Sequence, residues 1–95
     1  MKFEWDENKN NLNQQKHKIS FEEACYVFSD QFALSMFDPD NSEDEDRFVL
    51  LGQSRKDYIL VVIHTYRNRD NEKIVRIISA RKATKKEKLT YMKRC

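Results

Sequence analysis

Glycine and proline are almost missing from this chain, with one of each in 95 residues. That scarcity excludes collagen-like and low-complexity classes. It also excludes the loops that cradle phosphate through repeated glycines, so there is no P-loop and no Rossmann fingerprint. Cysteine is nearly as scarce. Cys25 and Cys95 lie far apart in the sequence, outside any CxxC pair or Cys/His cluster at zinc spacing, so neither a structural metal nor another cofactor is expected. Cys25 reads as a small buried hydrophobe on a helix stripe and Cys95 as a terminal thiol. Long apolar runs are missing too. The longest, Tyr58 to Ile63, is far too short to span a membrane, and the start of the chain, with Lys2, Glu4 and Asp6, has no signal-peptide core. A cytoplasmic protein without a membrane partner is expected.

What is present is charge and aromatic surface. Charged residues make up 36% of the chain, while 39% hydrophobic and 12% aromatic content supplies a core. The length suits one domain over residues 1–95 and excludes a multidomain enzyme. The net charge of +2 conceals a division. Residues 1–47 hold twelve acids against five bases, a net of −7, and residues 48–95 hold thirteen bases against four acids, a net of +9. A polycationic half is the electrostatic footprint of a nucleic-acid ligand or an acidic protein partner.

Patterning predicts a short strand over 2–5 and a polar helix over 7–17, capped by Asp6, with only Leu12 to bury and therefore held by its flanks, Trp5 before it and Ile19 after it. A capping box, Ser20-Phe21-Glu22-Glu23, opens a second helix that ends near Ser29, with Phe21, Ala24, Cys25 and Phe28 on one stripe. Strands are predicted over 32–37, 47–51, 58–67 and 74–82, with turns at 52–57 and 68–73 and an exposed acidic loop between the first two. Thr84-Lys85-Lys86-Glu87 is a second capping box and opens a basic terminal helix. The expected architecture is α+β: an antiparallel twisted sheet, made of the short N-terminal strand plus a four-strand meander, with two N-terminal helices and a C-terminal helix.

Alternation along the strands puts His64, Tyr66, Arg67, Arg76 and Arg81 near a polar face or a strand end. With no nucleophilic cysteine, no Ser-His-Asp order and no metal set, one chemistry that needs only this inventory is metal-independent RNA cleavage. A base takes the 2′-hydroxyl proton, cations hold the phosphorane, and an acid protonates the leaving oxygen. Arginine forks suit phosphate, and tyrosines offer stacking platforms. Each residue has a second reading: His64 as a structural strand residue, His17 as a helix C-terminal cation, Glu87 as the box partner, and Tyr91 as a packing ring one turn beyond Glu87. Lys85 and Lys86 oppose the dipole of their own helix, which suits either a bound phosphate or a solvated basic face.

Lys2-Phe3-Glu4-Trp5-Asp6, Lys16-His17, Ser20-Phe21-Glu22-Glu23-Ala24, Val27-Phe28, Val61-Val62-Ile63-His64-Thr65 and Arg76-Ile77-Ile78-Ser79-Ala80-Arg81-Lys82-Ala83-Thr84, followed by Glu87 and Tyr91, resemble the BrnT family of bacterial toxins along nearly the whole chain. The resemblance implies a RelE-like fold and a type II toxin that acts as an endoribonuclease to arrest translation and growth. It also implies a cognate BrnA-type antitoxin with a ribbon-helix-helix domain, through which the complex would reach operator DNA. Arg67, Arg76 and Arg81 are then expected to clamp phosphate, His64 or Glu87 to transfer protons, and Tyr91 to lie near the scissile bond. Tyr66, Lys82, Lys85 and Lys86 are expected to contact RNA. The competing expectation is a catalytically weak or inactive module that binds nucleic acid or antitoxin. Two positions depart from the family pattern: Lys18 stands where glycine is usual after the Lys-His pair, and Tyr66 stands where glutamate is common after His-Thr.

Overall fold

The computed structural model describes residues 1–93; Arg94 and Cys95, and with them the terminal thiol, lie outside the described residues. The elements run β1 (Lys2–Glu4), α1 (Glu7–His17), α2 (Phe21–Cys25) continued by a 3₁₀ turn (Tyr26–Ser29), β2 (Leu34–Phe37), β3 (Phe48–Gln53), β4 (Ile59–Arg69), β5 (Glu72–Lys82) and α3 (Lys85–Met92). The strands form a five-stranded sheet in the order β1-β5-β4-β3-β2. The antiparallel meander β2 to β5 is as expected. The wholly antiparallel sheet is not, because β1 pairs parallel to β5, with Glu4 beside Arg76.

Local chemistry sets the element ends. The Asp6 carboxylate accepts from the N–H groups of Asn8 and Lys9 at 2.8 and 3.3 Å and starts α1. Lys18 ends it in the left-handed region at φ 63°, its N–H bonded to the Gln14 carbonyl. A glycine at this position would meet the same demand without strain. Only half of the first predicted box forms: Ser20 Oγ caps the Glu23 N–H, with no reciprocal bond from Glu23. At α3 both halves form. The turn expected over 68–73 shrinks to Asp70 and Asn71, both at positive φ, so β4 and β5 run further than alternation alone suggested. Gly52 lies in β3 rather than in a turn. A Cβ there would meet Val27 Cγ1 at 2.8 Å and Ala33 Cβ at 3.0 Å, so the chain's one glycine lets the 3₁₀ turn press against the sheet.

The sheet has a core on each face. On one, Ile19, Phe21, Ala24 and Val27 from α1–α2 pack on Leu50, Leu60, Val62, Val75, Ile77 and Ala80. On the other, α3 covers a smaller cluster of Leu51, Val61, Ala83 and Tyr91. Leu12 is not what α1 buries, since it is 62% exposed. Asn10 and Asn13 are buried instead and dock the helix through hydrogen bonds. Asn13 Nδ2 donates to the carbonyls of Ile19 and Ala80, while its Oδ1 accepts from the Ala80 N–H. Among the described residues no helix is long and apolar enough to cross a membrane.

Candidate nucleic-acid interface

The register decides which side chains share a face. Val61 stands opposite Arg81, Thr65 opposite Arg76 and Arg67 opposite Ile74. These positions therefore all project toward the α3 side of the sheet, as does Glu4 from β1. Arg67 and Arg76 are diagonal neighbours, about 7–8 Å apart at Cβ. Arg81 lies four β4 residues further along, about 13 Å away at about 3.3 Å per residue. The three guanidiniums thus form an open row along the face instead of converging on a single phosphate.

Each arginine is held by a carboxylate of the chain itself. Arg67 Nη2 donates to Glu45 at 3.0 Å. Arg76 Nη1 donates to Glu4 Oε2 at 2.7 Å, and Arg69 pairs with the same carboxylate at 2.9 Å. Arg81 makes a two-pronged bond to Glu87, 2.8 and 2.9 Å. The Arg81 fork, with the box contacts to Thr84, holds the Glu87 carboxyl well below its usual range, at about 2. Glu4 and Glu45 were not among the expected site residues. The alternation of Lys2 and Glu4 beside β5 was the available signal for Glu4, whereas Glu45 sits in a loop whose path no periodicity predicts.

His64 corrects the expectation of a polar face. Its ring is fully buried between Phe28, Phe48 and Tyr66, on the α1–α2 side of the sheet. Nε2 has no hydrogen-bond partner and Nδ1 lies 3.4 Å from the Val62 carbonyl. Burial pushes its pKa down. An imidazole in this place cannot touch RNA. Tyr66 also points away from the arginine row, with its ring exposed and the Lys73 ammonium 4.3 Å above it. Lys82, opposite Leu60, projects to that same side and covers the Tyr58 ring. Lys85 and Lys86 are exposed on α3.

Tyr91 is buried, and its hydroxyl donates to Asp30 Oδ2 at 2.6 Å. That bond pins α3 to the loop before β2. Burial raises the Asp30 pKa, but bonds from the Gln53 N–H, the Tyr91 hydroxyl and the Phe32 N–H outweigh it and keep the carboxyl ionised. Cys25 is a half-buried free thiol that donates to the Phe21 carbonyl at 3.3 Å. Burial, with Glu22 nearby, pushes its pKa up to about 11. Among the described residues no three His, Cys, Asp or Glu side chains gather where a metal ion could sit.

A mixed five-stranded sheet with two helices on one face, and on the other a short helix beside a row of carboxylate-held arginines, defines a small α+β protein. The family model described as "Ribonuclease toxin, BrnT, of type II toxin-antitoxin system" matches residues 5–87, and the chain belongs to that family. No curated protein matches the chain by sequence. The crystal structure of the ribonuclease toxin BrnT from Brucella abortus is similar, with a TM-score of 0.62 and 26% identity, covering 90% of this chain and 99% of that one.

Proposed function

We propose that the chain, as one RelE-like domain over residues 1–95, is a metal-independent endoribonuclease of the cytoplasm that cleaves RNA and so arrests translation and growth. A cognate BrnA-type ribbon-helix-helix antitoxin neutralises it and carries the complex to operator DNA. The observation that carries this reading is the Arg81–Glu87 pair at the open end of the arginine row. A phosphate oxygen drawn to Arg81 takes over the bonds that Glu87 now accepts. Freed of that fork, the Glu87 carboxylate regains basicity and takes the 2′-hydroxyl proton. The 2′ oxygen attacks the adjacent phosphorus and the P–O5′ bond breaks. The 5′ oxygen keeps the electron pair and takes a proton from solvent, leaving a 2′,3′-cyclic phosphate and a 5′-hydroxyl. Arg67 and Arg76 hold flanking phosphates, and Lys85 and Lys86 add attraction at the start of α3. Tyr91 acts as a positioning residue, because its bond to Asp30 fixes the helix that carries Glu87.

A second reading, an inactive nucleic-acid- and antitoxin-binding module, is favoured by the low pKa of Glu87 and the burial of His64, the two side chains expected to transfer protons. Purified chain incubated with single-stranded RNA separates the two. A cyclic-phosphate product lost about 100-fold in Arg81→Ala supports the nuclease. Salt-sensitive binding without that product supports the module, and Arg81→Ala as active and as toxic to growth as wild type overturns the mechanism.

A further inference from the structure

The sheet has two edges, and only one is guarded. β1 is three residues long and presents Lys2 and Glu4, the first paired with Glu72 and the second with Arg69 and Arg76. β2 reads Leu-Ser-Met-Phe, with no charge and no proline within it. The Asp38 N–H turns inward to the Arg47 carbonyl at 2.8 Å. Bonding direction alternates along an antiparallel ladder, so Ser35 and Phe37 direct their N–H and C=O groups outward. Met36 is 45% and Phe37 52% exposed, on opposite faces of this edge, and Phe32 stands exposed just before it. The strand runs directly into the acidic loop, where Asp40, Glu43, Asp44 and Asp46 are exposed. A pocket of about 340 Å³ there is lined by Asp40, Glu43, Asp44, Glu45 and Arg47.

We propose that the β2 edge is where the neutralising protein partner binds, adding an extended segment of its own as a sixth strand. The main chain of that segment pairs with Ser35 and Phe37. Its apolar side chains, at successive positions, cover Met36 on one face and Phe37 on the other. Its lysines or arginines, at the end nearest the loop, meet the carboxylates of residues 40–46. Charge complementarity selects the occupant. RNA is repelled by this loop, and a second copy of the chain, whose own edge strand is uncharged, brings no cation to it. The proposal rests on the reading of the chain as a toxin held by an antitoxin.

The test uses the full chain and a BrnA-type ribbon-helix-helix protein, sought as the product of a reading frame beside its gene. Proline at position 35 removes an outward N–H and leaves the inward β2–β3 ladder intact. Ser35→Pro is expected to weaken the complex at least tenfold, while Ser35→Ala binds as wild type and both variants cleave RNA as wild type. In the wild-type complex the amides of Ser35 and Phe37 should be protected from hydrogen exchange. This measurement decides the matter if the proline variant fails to fold. Undiminished binding by a folded Ser35→Pro, or unprotected amides, overturns the edge proposal and leaves the nuclease reading standing. So does a dimer of the chain alone that Ser35→Pro dissolves. If the neighbouring protein does not bind the wild-type chain, the antitoxin reading and this proposal fall together. Loss of RNA cleavage alone leaves the edge to be judged by binding.

Discussion

His64 is a titratable ring where the sequence suggested a base and the fold demanded a hydrophobe. Alternation placed it correctly beside Leu60 and Val62 but could not say which face the helices cover, and they cover this one. Its Nε2 stays without a partner, which costs about 1–3 kcal/mol. The unfolded chain takes up a proton near pH 6.5, whereas folded His64, with its pKa pushed down, does so only at lower pH. The stability tied to the neutral ring is therefore full above about pH 6.5 and is lost as pH falls through the folded pKa. Urea midpoints measured from pH 7.5 to 5 should fall more steeply for wild type than for His64→Phe. RNA cleavage by that variant should stay within about threefold of wild type; a hundredfold loss would return His64 to the site. Lys18 carries a different local cost, a side chain held at φ 63°. Lys18→Gly is expected to raise stability by about 0.5–1 kcal/mol in urea unfolding.

Among the elements, α1 shows what periodicity reads and what it leaves out. Its limits followed from Asp6 and from the polar run, and both held. Its docking was legible in part: the flanks Trp5 and Ile19 lie against and in the core as expected, but apolar spacing ignores asparagine, and amides also bind the helix to β5. Asn10 Oδ1 accepts from the Phe21 N–H at 2.9 Å, and its Nδ2 donates to Glu7 and Glu22. Asn13 ties the Ala80 backbone to the helix by both its N–H and its carbonyl. Truncating Asn13 leaves three buried backbone groups without their partner. Asn13→Ala is expected to lose about 2–4 kcal/mol by urea unfolding, against less than about 0.5 kcal/mol for Leu12→Ala. Equal losses would show that α1 is held by apolar burial after all. The same limit explains the sheet: strand patterns gave five strands and the meander order, but a three-residue strand carries no signal for the direction of its pairing, and β1 turned out parallel.

Across the whole molecule, the division into an acidic first half and a basic second half does not survive folding as two poles. Glu4 and Glu45, from the acidic half, lie on Arg69, Arg76 and Arg67 of the basic half, so much of the arginine charge is neutralised before RNA arrives. Exchange of one anion for another at these arginines releases few counterions. The salt dependence of RNA binding must then come chiefly from the exposed lysines of α3, Lys85, Lys86 and Lys88, which stand beside the Arg81–Glu87 pair. For a single strand each phosphate neutralised contributes about 0.7 to the slope of log K against log salt. Replacing all three lysines by alanine should therefore lower that slope by about 2, measured by fluorescence anisotropy with single-stranded RNA between about 50 and 200 mM salt. Glu4→Gln should act in the opposite direction. Arg69 and Arg76, released from their carboxylate, add to the slope and tighten binding most at low salt. A slope unchanged by the lysine substitutions would move the RNA path off α3 and onto the arginine row alone.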